Sequence, residues 1–311
     1  MGKKAFVHSE FRYKDRLTCI CGSSLKKGNT QLLFKHAWGA IRFLRCGVCS
    51  SWCQSPQIDS SSLASWYDSD QYQGSAQQGG TAYKNYEADE AQRYKEAQKR
   101  FRYDIEPCLK LRPSSILEIG CASGTLLAAA KDLGYRVDGV DLSPRFSEQA
   151  KRLNGLDVRI GNVLDLPEQK KYDAVLIFGA VSNFTDLGKI FKKIRRLVHR
   201  ESKLFINFPD SSSWIAKLYA EKIWMFAPSV ITYASTRGLV SCAQKAGWQI
   251  EIERIDWQQP SFRKLFKHTK FSAVLPSILT KKLERFLFPF RIPIPGVRFL
   301  RLSQIAKSVL S

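Results

Sequence analysis

A strand that runs into a helix through two glycines constrains this chain more than any other feature. The stretch 114–127, SSILEIGCASGTLL, sets an apolar run ending in Glu118 before Gly120 and Gly124, and then continues in helix-forming residues. Glycine supplies backbone conformations that other residues resist. With no Cβ in the way, the turn's N–H groups and the helix N-terminus can approach a small ligand closely. The same alternation recurs downstream. Thr125 to Leu133 reads as a helix with Gly134 just past its end, and YRVDGVDL as a second strand. Ser143 and Pro144 form an N-cap and first helical position, DVRI, DAVLIF and KLFINF are further strands, and a basic amphipathic helix spans 186–198. A helix ending at Gly247 and the strand WQIEIERIDW follow. Such alternation predicts an α/β fold, a mostly parallel sheet with helices on both faces.

The 311 residues suffice for one α/β domain and a small accessory module. The expected divisions are 1–58, a cysteine-bearing module; 59–112, a Ser/Gln/Gly-rich linker and capping helices; 113–260, the core; and 261–311, a basic, apolar C-terminal segment. Within 59–112, Trp66, Tyr67 and Tyr72 interrupt the linker, and the spacing of Tyr94, Ala97, Phe101 and Ile105 predicts a helix. No run of 18 apolar residues and no signal-peptide centre occurs, so a cytoplasmic protein is expected. The net charge of +21 is uneven, +7 over 1–60, +10 over 261–311 and only +4 between. Charged ends of this kind favour phosphate-bearing partners, an anionic membrane or nucleic acid, and also suit a merely solvated surface.

The turn is not the G-x-G-x-x-G of a dinucleotide fold. Glu118-x-Gly120-x-Ala122-x-Gly124, with GVDLSP placing Asp141 21 positions after Gly120, resembles motifs I and II of class I S-adenosylmethionine-dependent methyltransferases. GNVLDLP, YDAVLIFGAVSNFTDL, LVHRESKLFINFPDSSS and LVSCAQKAGWQIE extend the resemblance in order over roughly 64–256. It implies a Rossmann-like, seven-stranded sheet and S-adenosylmethionine as cofactor. Motif I, with Glu118 at its head, would hold the methionine end through Gly120, Cys121, Ala122 and Gly124. Asp141 would accept from both ribose hydroxyls, Leu142 would lie against the adenine ring, and Asn162 and Val163 would sit at the adenine edge. Read without the resemblance, the glycines could form only a turn and Asp141 only part of a helix start. Cys121 reads as a small buried thiol rather than a nucleophile.

Five of the eight cysteines fall in the first 53 residues. Cys19-x-Cys21 and Cys46-x2-Cys49, 24 residues apart, resemble a zinc ribbon, in which two knuckles give four thiolates to one structural ion with no open position. The first knuckle is irregular, with Thr18 where a cysteine is usual, so Cys53 is a substitute ligand and reduced, metal-free thiols are the alternative. Ribbons of this type precede the methyltransferase domain in bacterial enzymes acting on sugars and related metabolites, and LASWYDSDQY resembles the connecting segment of that group.

The resemblance weakens at the chemistry. That group commonly carries Glu-His after the fourth strand and a second histidine further on, where this chain has Ser182-Asn183 and Ser229. An unactivated hydroxyl needs a base to attack a sulfonium methyl, and His8, His36, His199 and His268 all lie outside the expected segments. Asp210 and Tyr233 are the substitute bases and Asn183 a residue to orient the acceptor, although Asp210 suits a helix cap equally. No Asp/Asn-Pro-Pro-Tyr and no Pro-Cys follows the fourth strand, which disfavours exocyclic base-nitrogen and cytosine C5 methylation. The tail, RFLRLSQIAKS included, is readable as a lid, a contact with the inner face of an anionic membrane, or the family's late last strand. The expected function is methyl transfer to a saccharide, a lipid-linked saccharide or a similar small metabolite. RNA methylation is the alternative in another substrate class, and a non-catalytic cofactor-binding scaffold is the third reading.

Overall fold

The computed structural model describes residues 11–26, 30–36, 39–69, 72, 90–109, 114–214, 216, 229–258 and 292–305. Its largest element is a seven-stranded sheet built on the segments that the sequence marks as alternately strand and helix. The first of its strands, β6 (Ser115–Ile119), is buried at every residue and lies in the interior of the sheet. From it the chain runs outward through α3 (Thr125–Asp132), β7 (Arg136–Asp141), α4 (Pro144–Asn154) and β8 (Arg159–Ile160). It then returns to the other side of β6 with β9 (Tyr172–Phe178), and α5 (Leu187–Leu197) leads to β10 (Val198–Pro209). These five strands are parallel. After α6 (Thr236–Lys245), β12 (Trp248–Gln258) forms the far edge. The last strand, β13 (Ile292–Gln304), slots antiparallel between β10 and β12, so the spatial order is β12-β13-β10-β9-β6-β7-β8. Where strand order reverses, between β6 and β9, an open α/β sheet leaves a crevice at the carboxyl ends of its strands.

Both faces of the sheet are covered because both sides of its strands are apolar. Leu117, Ile119, Val175, Ile177, Leu204 and Ile206 pack under Ile190, Phe191 and Ile194 of α5 and Leu239 of α6. On the opposite face Ile116, Ala174, Leu176, Phe205 and Phe299 meet α3 and the stripe Ala97, Phe101 and Ile105. That stripe runs along α2 (Glu90–Arg100) into one wide turn over Phe101–Ile105. The start of α4 follows its sequence signal, Ser143 accepting from the Phe146 N–H with Pro144 next, and Asp186 caps α5 by accepting from the Lys189 N–H.

Three boundaries differ from the sequence reading. The core does not end at 260, since β13 is an interior strand of the sheet, and for residues 292–304 the last-strand reading is the one that holds. Segment 261–291, and the lid and membrane readings of it, lie outside the described residues, as do His8 and His268. Residues 60–68 are not linker but a helix, α1 (Ser60–Asp68), which buries Leu63, Trp66 and Tyr67. The module over 1–58 is also not self-contained. Its strands β2 (Gln31–His36), β3 (Gly39–Arg45) and β4 (Trp52–Gln54) are completed by β11 (Thr232–Tyr233), a two-residue strand from the core, in the order β11-β4-β3-β2. Strands β1 (Tyr13–Lys14) and β5 (Gln57–Ile58) pair separately. Among the described residues no helix is long and apolar enough to cross a membrane.

If β13 is structural, truncating a fully buried side chain on it will cost what a core cavity costs. Leu300→Ala is expected to lower stability by about 2–5 kcal/mol in urea denaturation. A loss near zero would show that this strand is not part of the folded core.

Candidate functional site

The tips of β6, β7 and β9 converge on a single point. Gly120 has φ +72, and a Cβ there would lie 2.6 Å from the Ala180 Cβ, so the loops after β6 and β9 touch only because residue 120 has no side chain. The Ala122 N–H donates to Asp141 Oδ2 at 2.9 Å and the Ser143 N–H to Oδ1 at 3.0 Å, which pins the β7 carboxylate against the glycine turn. Ala122 itself holds φ +47, a conformation that side chains rarely adopt. Gly124, at φ +71, begins α3, and a Cβ there would reach to 2.8 Å of Leu156 Cδ1. The Gly161 N–H donates to the Asp141 carbonyl at 2.8 Å, placing Asn162 and Val163 beside that tip.

Carboxyl groups dominate the electrostatics. Burial pushes the Glu118 carboxyl well up, and the neighbouring Asp141 adds to the shift. Its Oε2 has no hydrogen-bond partner among the described residues. Asp141 is raised too, by burial first, although its bonds from the Ser143 and Ala122 N–H groups oppose this. A ligand bearing cationic or donor groups is what such a pair lacks.

The sequence-predicted residues distribute as follows. Glu118, Gly120, Cys121, Ala122, Gly124, Asp141 and Leu142 all lie on the turn and the adjacent tip. Cys121 is buried against the close-packed Gly139. Asn162 Oδ1 accepts from the Leu164 N–H at 3.0 Å as a cap, and the Val163 side chain is directed into the core. Asn183 ends a short turn over 181–183 and is half-buried. Asp210 is 1% exposed, and both its oxygens are engaged. Oδ1 accepts from the Ser212 N–H, the Ser212 hydroxyl and the Thr236 N–H, while Oδ2 accepts from the Thr236 hydroxyl at 3.0 Å and meets Arg298 at 3.5 Å. Asp210 therefore ties the turn after β10 to the start of α6. Tyr233 is buried in β11 opposite Trp52, and burial, with Asp210 second, raises its hydroxyl, so it is neutral near pH 7. His199 is exposed at the start of β10, on the opposite end of the sheet.

Several residues of the site carried no signal in the sequence. Glu90, at the start of α2, accepts from Thr125 Oγ1 at 2.6 Å, Asn154 Nδ2 at 2.9 Å and Ser123 Oγ at 3.3 Å, and pairs with Arg93, bracing the glycine turn from behind. Asp68, at the end of α1, accepts from the Ser143 hydroxyl at 2.5 Å. It thereby brings the aromatic cluster Trp66, Tyr67, Tyr72 and Phe146 over Ala122 and Leu142. Beneath the turn after β9, Asn207 Oδ1 accepts from the Gly179 N–H at 2.7 Å and its amide donates to Asp256 at 3.2 Å. Asp256 is fully buried and receives both arms of Arg100 at 2.9 Å. Arg93 apart, these partners lie 28 to 156 positions away in sequence, a separation no local pattern reveals.

A second cluster lies in the module. The sulfur atoms of Cys19, Cys21, Cys46 and Cys49 all lie within 4.8 Å of one another, all four buried. Cys19 and Cys49 are 3.4 Å apart and Cys21 and Cys46 3.7 Å, against about 3.8 Å for the edge of a tetrahedron of thiolates at 2.3 Å from zinc. The short first knuckle works because the chain reverses tightly there. The Cys19 N–H donates to the Ser23 carbonyl, the Gly22 N–H to the Cys19 carbonyl, and Gly22 has φ +88. Cys53 sits outside this set but 3.8 Å from Cys19. Without an ion such crowding disfavours thiolates, and Cys49 is pushed up to about 12, first by Cys19 and then by burial. A divalent cation would reverse that preference.

Comparisons with known proteins agree with the geometry of the tips. A family model described as "Methyltransferase domain" matches residues 89–252, just over half of the chain. A demethylmenaquinone methyltransferase of Thermotoga maritima is 25% identical over 174 residues, 48% of this chain and 76% of that protein. A ubiquinone biosynthesis O-methyltransferase of Xanthomonas oryzae pv. oryzae is 31% identical over 107 residues, 32% of this chain and under half (44%) of that protein. The crystal structure of magnesium protoporphyrin IX methyltransferase from Synechocystis PCC 6803, solved with bound S-adenosylhomocysteine, superposes with a TM-score of 0.51 at 13% identity. It covers 79% of this chain and 100% of that one, and shows the shared fold.

The brace behind the turn predicts an acid-sensitive contribution to stability. Burial alone would raise Glu90, but its bonds from Thr125 and Asn154 and the charge of Arg93 hold it below its ordinary 4.5. A carboxyl lowered in the folded state stabilises above the unfolded value, and that contribution disappears as pH falls through the folded one. The difference in Tm between wild type and Glu90→Gln is therefore expected to be largest near neutrality and to shrink below about pH 4.5. An unchanged difference from pH 7 to pH 3 would remove the charged brace.

Proposed function

The chain belongs to the methyltransferase-domain family, and from that premise we propose that it transfers a methyl group from S-adenosylmethionine to a small-metabolite acceptor. The observation that carries this is the hydrogen bond joining the glycine turn to Asp141, with Gly120 pressed on Ala180. In this reading Gly120, Cys121, Ala122 and Gly124 hold the methionine end and Glu118 faces its ammonium group. Asp141 accepts from the ribose hydroxyls, and Leu142 lies against adenine beside Asn162 and Val163. The buried, unpartnered Glu118 Oε2 supports the fit, since a donor-bearing cation supplies what it lacks. S-Adenosylmethionine, when bound, supplies the electrophilic sulfonium methyl.

The acceptor class rests on weaker support. Relatives named for quinone biosynthesis favour a small molecule over a polymer. A saccharide or lipid-linked saccharide presented at the inner face of an anionic membrane remains within that class, and the strongly basic composition supports it. Asp210 is consumed as a cap and Tyr233 is buried and neutral. The described residues thus favour an acceptor atom that is nucleophilic of itself, such as an acidic hydroxyl, with Asn183 orienting it. Cys19, Cys21, Cys46 and Cys49 hold one structural zinc, and Cys53 stands by as a neighbour rather than a ligand. The near-tetrahedral spacing of the sulfurs supports this assignment.

Calorimetry with S-adenosylhomocysteine tests the first claim. Asp141→Ala is expected to weaken binding roughly 10- to 100-fold, and unchanged affinity would overturn the cofactor assignment. Transfer of labelled methyl into fractionated cell extract tests the acceptor, since label in RNA rather than in small molecules overturns that part. One zinc per chain is expected in protein purified under reducing conditions, with Cys46→Ser losing it. A zinc content far below one per chain removes the metal assignment.

A further inference from the structure

The cysteine cluster and the transfer site are joined by a short line of hydrogen bonds. Strand β4 follows directly on the second knuckle and carries Cys53, 3.8 Å from Cys19. It pairs with β11, Cys53 opposite Thr232 and Trp52 opposite Tyr233, and the Gln54 N–H donates to the Ile231 carbonyl at 2.9 Å. Arg16 reinforces the pairing from the first knuckle. Its Nε donates to the Thr18 carbonyl at 3.1 Å, and its Nη1 to the Ile231 carbonyl at 2.9 Å and the Thr232 hydroxyl at 2.8 Å. On the other side of the same residue, the Ile231 N–H donates to the Ser182 carbonyl at 2.7 Å. The far end of this loop is held by the module as well, because Gln57 Nε2 donates to the Thr185 carbonyl at 3.2 Å and Ser60 Oγ lies 3.3 Å from Thr185 Oγ1.

The loop so gripped, 181–185, follows directly on Ala180, which packs against Gly120. We propose that Arg16 is a positioning residue for methyl transfer. Through Ile231, it and the β4–β11 pairing fix the 181–185 loop according to whether the thiol cluster is assembled. A second seam explains why the cluster cannot loosen independently. The Ser235 N–H donates to Ser51 Oγ at 2.9 Å, and Lys245 Nζ donates to the Cys21 carbonyl at 2.5 Å. A Cβ at Gly238 would lie 2.9 Å from the Cys49 sulfur. Core and knuckles therefore share one packed surface. Among the described residues, the hydrogen bonds that hold the glycine turn and Asp141 come from other segments than 181–185, so losing the grip should disturb acceptor placement and spare the cofactor.

The proposal rests on the zinc assignment above for only one of its two tests. Hydrogen–deuterium exchange is followed in the full chain saturated with S-adenosylhomocysteine, first before and after zinc removal by a chelator, then with Arg16→Met in zinc-replete protein. Both treatments are expected to speed exchange of the Ile231 amide and of peptides covering 180–186 by roughly five- to tenfold. Peptides covering 115–127 and 136–141 should keep their protection, cofactor affinity should stay within about twofold, and added zinc should reverse the first treatment. Faster exchange confined to 16–54, spread over the whole chain, or absent overturns the proposal. A chain that holds no zinc overturns the metal assignment instead, and the Arg16 comparison then decides the relay alone. Should Arg16→Met not fold, Arg16→Lys is measured, which keeps the charge but loses the fork. The same local loss is expected, and wild-type protection overturns the proposal.

Discussion

The bond from the Ala122 N–H to the Asp141 carboxylate organises everything else at the carboxyl edge of the sheet. It joins two strand tips that the backbone ladder alone would leave as separate loops. A carboxylate so placed is costly, because burial opposes its charge and Glu118 lies close behind. Close packing keeps it there. Gly120 against Ala180, Gly139 under Cys121 and Gly124 against Leu156 leave the turn no room to relax, and Glu90 holds it from the rear. The strain at Ala122 belongs to the same arrangement, since a turn that points its N–H groups inward must bend its backbone outward.

The N-terminal module extends the same logic rather than hanging from it. Ser51, Gln54, Thr232 and Ser235 are fully buried at its junction with the core, and polar groups of that kind are tolerable only with partners on the other side. Arg16, the β4–β11 pairing and the Ser51–Ser235 contacts supply those partners. Pulling the two parts apart would expose a seam of unmet donors and acceptors, so the module is better regarded as an outer layer of the transfer site than as a separate domain. Helix α1 completes this layer by carrying Trp66 and Tyr67 from the module to the cofactor side, where Asp68 meets Ser143.

What the sequence made legible was whatever depends on near neighbours. The strands from β6 to β10, the cap at Ser143, the glycine turn and Asp141 are written in local periodicity and short spacing. The clustering of Cys19, Cys21, Cys46 and Cys49 was visible for the same reason, although the one-residue gap between Cys19 and Cys21 looked irregular until the turn at Gly22 accounted for it. Strand β11 escaped notice because two residues have no period, and α1 because its serines resemble a linker while its packing partners lie elsewhere. Glu90, Asn207 and Asp256 were invisible in a stricter sense, since each acts on residues far away in sequence and no short spacing marks them. The charge of the last segment kept the lid and membrane readings open beside the last-strand one for a related reason. Arg298 meets Asp210 and Arg301 pairs with Glu251, partners far away in sequence, while Phe299, Leu300 and Leu302 of β13 belong to the core.

The absence of histidine at the two expected places changes what the site must accomplish. Removing a proton from an unactivated hydroxyl requires a base within hydrogen-bond reach. Asp210, the carboxylate best placed by strand position, is saturated by Ser212, Thr236 and Arg298 and cannot turn toward a substrate without freeing the start of α6. Methyl transfer from a sulfonium is favourable once the acceptor atom is in line, and correct placement alone can supply roughly 7–11 kcal/mol of the barrier. A site whose glycine turn, post-β9 loop and module are locked together by buried bonds is built for placement. On the proposed reading, its chemistry is set by the acidity of the acceptor and its specificity by how firmly the 181–185 loop is held.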